Sequence, residues 1–108
     1  DGEMPLDLDL LAEIQSQTGA YLGLHGGTGI PIADLRAAGR YGVVKVNFGT
    51  YLKQKYLAAV RLALNSSEVN PHKLLGLGGA EDVMACGRRA VRDAVLERIE
   101  ALGCCGRA

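Results

Sequence analysis

The chain has no charge bias: twelve Lys and Arg stand against twelve Asp and Glu in 108 residues. Its composition therefore gives no general electrostatic role toward nucleic acid or an acidic ligand. No apolar run is long enough to span a bilayer. No basic stretch followed by an apolar one opens the chain, so no secretory signal peptide is visible. Tryptophan is missing, and the aromatics are one Phe and four Tyr. An apolar fraction of 48% still suits a globular core, one domain at most or a piece of one. No CxxC spacing links Cys86, Cys104 and Cys105, which argues against a zinc ribbon or a CxxC redox motif. Adjacent cysteines rarely bridge each other, because one peptide step holds their Cα atoms closer than disulfide geometry prefers. Free thiols in a reducing cytosol are the expectation, and a cytoplasmic location with them. Low-complexity tracts and short-period repeats are absent. The first residue is Asp1 rather than Met, which fits a fragment or a processed chain.

What is present centres on residues 22–31, Leu-Gly-Leu-His-Gly-Gly-Thr-Gly-Ile-Pro. Apolar residues lead in, and glycine and proline lead out. His25 stands where a strand stops. Gly26, Gly27 and Gly29 allow backbone N–H groups to crowd toward a ligand without Cβ interference. Pro31 suits the first turn of a helix, whose N-terminus adds positive partial charge. Two readings stand for this loop. It is either a tight strand-to-helix connection or an anion cradle with His25 turned to a metal or a substrate.

The rest of the chain alternates helix and strand. Leu8, Leu11 and Ile14 share one face of a first helix that stops at Thr18-Gly19, after a loose lead-in over residues 1–5. A short apolar strand is expected over 20–24 and a helix over 31–38, ended by Gly39 and Gly42. The β-branched residues of 43–47 give a second strand, with Lys45 facing outward. Asn47, Phe48, Gly49 and Thr50 then close the strand and open a helix striped by Leu52, Tyr56, Ala59, Val60, Ala63 and Leu64. Lys53, Lys55 and Arg61 lie off that stripe, on a solvated face. A helical turn at 72–76 follows, with His72 at the surface. A last helix is expected over 80–102, with Val91, Val95, Ile99 and Leu102 inward. Arg88, Arg89, Arg92, Glu97 and Arg98 decorate its other sides. A helical tail is thus expected over about 70–108.

The order α-β-α-β-α-α implies parallel strands beneath helices. In such folds function gathers at the carboxyl ends of the strands. Neighbouring strands lie about 5 Å apart, so the loops at 25–28 and 47–50 are expected on one rim, gripping one phosphate. Two strands neither close a barrel nor bury both faces of a parallel sheet. The chain therefore reads as the end of a larger fold.

The stretches Leu24-His25-Gly26-Gly27-Thr28-Gly29-Ile30-Pro31 and Lys45-Val46-Asn47-Phe48-Gly49-Thr50, at their spacing, resemble the C-terminal part of class II, zinc-dependent ketose-bisphosphate aldolases. This is the fructose- and tagatose-bisphosphate aldolase family. The tail at Asn70-Pro71-His72-Lys73 and Gly103-Cys104-Cys105-Gly106-Arg107-Ala108 is similar too. The resemblance implies a (β/α)8 barrel, with residues 1–108 supplying strands 7 and 8, their helices and the C-terminal helices. It implies that His25 is one of three histidines on a catalytic Zn2+. Gly26, Gly27 and Thr28 would hold the dihydroxyacetone-phosphate moiety, and Asn47, Phe48, Gly49 and Thr50 would form the second phosphate loop.

The implied reaction is reversible aldol cleavage of a ketose 1,6-bisphosphate to dihydroxyacetone phosphate and glyceraldehyde 3-phosphate, a glycolytic step, by an enzyme expected to be a homo-oligomer. The other zinc ligands and the acid/base aspartate have no match here, so no catalytic residue is assigned and the isolated chain is expected to be inactive. Phe48 and Gly49 vary the second loop. The alternatives are a non-catalytic phosphate-binding half-barrel that pairs with another chain, and an oligomerisation fragment built on the last helix.

Overall fold

The structure is a computed structural model and describes residues 2–107. The elements are α1 (Leu8–Thr18), β1 (Leu22–Leu24), α2 (Ile32–Ala38), a 3-10 turn (Gly39–Tyr41), β2 (Val43–Val46), α3 (Thr50–Leu64), α4 (Pro71–Leu74) and α5 (Val83–Ala101). The result is an α/β fold with a small parallel sheet. It divides into two compact units. One runs to Gly49 and includes the end from Ile99, and the other is Thr50–Arg98. No helix among the described residues is long and apolar enough to cross a membrane.

In the first unit α1 is set by its two ends. The Asp7 carboxylate accepts the Leu10 N–H at 2.9 Å, capping a helix start that Asp9 also favours. Gly19 stops the helix at φ 60°, with its N–H donating to Gln15 O. β1 begins two residues later than the expected 20–24. Past the helix stop the chain is still turning, with the Ala20 N–H held by the Thr18 hydroxyl at 3.3 Å. Residues 2–6 are not loose: Met4 N–H donates to Gly29 O at 2.9 Å, and Leu6 N–H to the Asp34 carboxylate at 2.9 Å. Leu35 and Ala38 on α2 are buried at 2% and 0% exposure. Gly39 keeps right-handed dihedrals, so the chain tightens into the 3-10 turn and stops at Gly42, φ 81°. A side chain at Gly42 would collide with the Gln15 amide.

β1 and β2 pair in parallel, Leu22 with Val43, Gly23 with Lys45 and Leu24 with Val46, with an irregularity between Leu22 and Gly23. Lys45 and Val44 are exposed, while Leu22, Leu24, Val43 and Val46 are half-buried. Parallel pairing follows from the helix between the strands, since a crossover returns the chain in the same direction.

The second unit is helical. Asn70 caps α4 by accepting the His72 N–H at 3.1 Å, and Pro71 occupies the first turn. α5 starts at Val83 rather than Ala80. The Asp82 carboxylate accepts the Ala85 N–H at 3.0 Å from the helix and the Gly76 and Gly78 N–H groups at 2.8 and 2.9 Å from the loop before it. The inward face of α5 also differs from expectation. Small residues, Val83, Ala85, Gly87 and Ala94, are buried, whereas Val95 and Ile99 are 37% and 38% exposed. Gly87 has Tyr56 packed so closely against it that a Cβ would meet the ring. Arg98 does not simply decorate the outside. Its guanidinium lies 4.0 Å from the Tyr51 ring centroid, and its side chain is only 16% exposed.

Candidate functional site

The site is built where β1 and β2 end. The parallel ladder does not stop at the last strand residue. Asn47 N–H donates to Leu24 O at 3.0 Å, and Gly27 N–H donates to Asn47 O at 2.8 Å. These two bonds zip the loop after β1 to the loop after β2. His25 and Asn47 therefore leave the sheet at the same end of adjacent strands, as the alternation of elements predicts.

Their side chains meet. Asn47 Nδ2 lies 3.2 Å from His25 Nδ1, a side-chain hydrogen bond whose donor and acceptor follow from the ring tautomer and the amide orientation. The imidazole is exposed, and Asn47 is half-buried. One edge of the ring is thus held by protein while the ring itself stays accessible.

The glycines of the loop do different jobs. Gly26 takes φ 78° and Gly29 φ 85°, conformations that side chains resist. Gly27 is buried and has ordinary dihedrals, but a Cβ there would stand 2.6 Å from Phe48 Cε1 and 2.7 Å from Val46 Cγ1. It is glycine because Phe48 closes over it. Its N–H is already engaged by Asn47 O, so Gly27 shapes the loop and its N–H does not point free toward an anion. Phe48 acts as the packing partner of Gly27. Thr28 is half-buried, and Gly49 is exposed. Thr50 opens α3 and belongs to the helical unit.

An imidazole at a strand end suits a zinc ligand, but a catalytic zinc takes three protein ligands and an open position. Among the described residues no three His, Cys, Asp or Glu side chains are grouped so as to hold a metal. His25 by itself would supply one of those ligands. His72 is exposed in α4, outside this group, in keeping with its surface reading.

The sequence reading missed Asp82. It is 2% exposed, and the N–H groups of Ala85 and Gly78, with that of Gly76, hold its carboxyl down at about 2. The available signal was a carboxylate directly before an apolar helical run, the ordinary mark of an N-cap. Tyr51 was missed as well. Its hydroxyl donates to Glu97 Oε2 at 2.7 Å while Arg98 covers its ring.

Residues 1–107 match the family model described as fructose-bisphosphate aldolase class-II. A fructose-bisphosphate aldolase of Staphylococcus epidermidis is 36% identical over 109 residues, covering 99% of this chain and 35% of that protein. A probable fructose-bisphosphate aldolase of Bacillus subtilis is 35% identical over 104 residues, covering 94% of this chain and 33% of that one. The crystal structure of the YdjI aldolase from Escherichia coli K12 superposes with a TM-score of 0.76 at 26% identity, over 95% of this chain and 36% of that one. The chain thus spans about a third of the length of its relatives. Matched along nearly its whole length in sequence and in fold, this chain belongs to the class-II fructose-bisphosphate aldolase family.

Proposed function

We propose that this chain forms strands 7 and 8 and the closing helices of a (β/α)8 barrel, and that the barrel is a cytoplasmic, zinc-dependent ketose-bisphosphate aldolase. The reaction is the reversible cleavage of a ketose 1,6-bisphosphate to dihydroxyacetone phosphate and glyceraldehyde 3-phosphate. The observation that carries this reading is the meeting of His25 and Asn47 at one end of two parallel strands. Carboxyl ends of strands are where barrel enzymes place their chemistry. Family membership, with a third of the relatives' length present, supports a partial barrel over the two non-catalytic alternatives.

In this reading His25 offers one ring nitrogen to Zn2+ and the remaining ligands come from other strands. The metal, when bound, supplies a Lewis acid beside the substrate ketone. Asn47 keeps the imidazole from rotating: with its amide oxygen turned to accept from Nδ1–H, the Nε2 lone pair is left for the metal and the amide N–H groups for substrate. Gly26 and Thr28, with Gly49 and Thr50, form the phosphate loops, and Gly27 and Phe48 give the first loop its shape. With one ligand assigned here and the acid/base group expected on another strand, the chain alone is expected not to turn over substrate.

The test joins the chain behind the first two-thirds of the Staphylococcus epidermidis relative. The hybrid is expected to bind zinc and cleave fructose 1,6-bisphosphate, and His25→Ala in it to lose most of both while keeping its fold. Retention of full zinc content in His25→Ala would remove the basis for the metal assignment.

A further inference from the structure

Cys104 and Cys105 take no part in the aldolase reading, yet they are held in a defined place. α5 stops at Gly103, φ 70°, with Gly103 N–H donating to Glu100 O and Cys104 N–H to Ile99 O, each at 3.0 Å. A second turn follows at once. Arg107 N–H donates to Cys104 O at 3.2 Å, and Gly106 takes φ 68°. Three backbone bonds and two left-handed glycines thus fix the backbone on both sides of the pair. Both thiols are free and exposed. Cys86 is in a different setting. Its thiol donates to Ala80 O at 3.1 Å, it receives Arg89 Nη2 at 3.3 Å, and it lies in the helical unit.

Two neighbouring thiols have a choice of partners, and geometry decides it. Cα atoms across one trans peptide are about 3.8 Å apart, whereas disulfides usually span about 4.4–6.8 Å. A direct S–S bond of about 2.05 Å therefore strains the turn. One thiophilic atom bonded to both sulfurs does not, because it lets them stand further apart. Thiolates also prefer soft centres.

We propose that the turn carrying Cys104 and Cys105 is a two-thiol chelation site for trivalent arsenicals. With an aryl arsenoxide the step balances without redox change. Two As–S bonds replace the As–O double bond, the two thiol protons leave with the oxygen as water, and arsenic stays trivalent.

The test treats the 108-residue chain with phenylarsine oxide and reads intact mass and remaining thiols. One arsenical per chain is expected, resistant to excess 2-mercaptoethanol and released by a small dithiol. C104S and C105S should each weaken binding at least about 100-fold, the usual gain from making a second bond intramolecular, while C86S should leave it unchanged. Failure to form the one-to-one adduct, equal binding by either single-thiol variant, or loss of binding in C86S would overturn the site. A second measurement uses oxidised glutathione. Mixed disulfides are expected, each new Cys–S–S–glutathione bond releasing one glutathione thiolate. Rapid closure of an intrapair disulfide would overturn the geometric ground for chelation.

Discussion

Gly27 and Gly87 sit in different units and are glycine for the same reason, a side chain that closes over them. Phe48 and Val46 cover Gly27, and Tyr56 covers Gly87. Neither has a left-handed backbone. Their surroundings are unlike. Gly27 lies in a loop whose backbone is tied to the next strand end, so hydrogen bonds and packing share the work of holding it. Gly87 lies in mid-helix, where glycine costs about 1 kcal/mol relative to alanine. Only close approach of the Tyr56 ring offsets that. The loop glycine is thus held by backbone bonds and packing together, and the helix glycine by side-chain fit.

The largest effect is expected where fit alone operates. Gly87→Leu drives a branched side chain into the Tyr56 ring and should cost about 3 kcal/mol or more, the upper end of overpacking, or prevent folding. Urea denaturation followed by circular dichroism measures it. In a Tyr56→Ala background the added Gly87→Ala change should cost nothing or stabilise, and a loss there as large as in the wild-type background would place the cause elsewhere.

Gly27→Val comes next, at about 1–3 kcal/mol, because the zipped backbone bonds remain. Pairing it with Phe48→Ala should recover part of the loss, and a double-mutant cycle gives the coupling. Strict additivity of the two changes would show that Phe48 is not what requires a glycine.

Asp82→Asn sharpens the helical side by pH. The folded carboxyl sits at about 2, below its ordinary 3.8, so the folded state binds the proton less tightly than the unfolded state. The stability it contributes is complete above pH 3.8 and is lost as pH falls through about 2. The gap between wild type and Asp82→Asn should therefore be widest near neutral pH and close over that acid window. An acid-titration series of thermal melts reads this, and a gap that persists at the bottom of the window would contradict it.

Tyr51→Phe should give the smallest change, about 0.5–1.5 kcal/mol. It removes the bond to Glu97 and leaves the ring beneath Arg98. A loss as large as that of Gly87→Leu would mean that the hydroxyl matters more than the stacked ring.

The same contrast explains what the sequence made legible. The strand ends could be read because their punctuation is local: His25 and the glycines after it, then Asn47 after a β-branched run. The parallel pairing could be read because a helix intervenes. The inward face of α5 could not, since apolar periodicity pointed to Val95 and Ile99 while the packing chose Gly87 and Ala94. Small residues score weakly in any hydrophobic pattern, and their value lies in what they admit. Arg98 was misplaced for a related reason: its charge marks it for solvent, but Tyr51 supplies a flat face on which its stem and guanidinium lie. Among the site residues, the side-chain bond between His25 and Asn47 joins positions 22 apart, which no local pattern encodes.

The sheet has only two strands, of three and four residues. Each has one flank with no neighbour among the described residues. A strand arriving on either flank would gain few backbone bonds, because the flanks are so short. Backbone pairing alone is then a poor recruiter and a good ruler: it fixes the offset of an incoming strand without holding it. The holding falls to apolar side chains such as Val44, 66% exposed on β2. In the barrel proposed above, assembly would in that sense be a two-part recognition, with register dictated by the peptide and adhesion by side chains such as Val44.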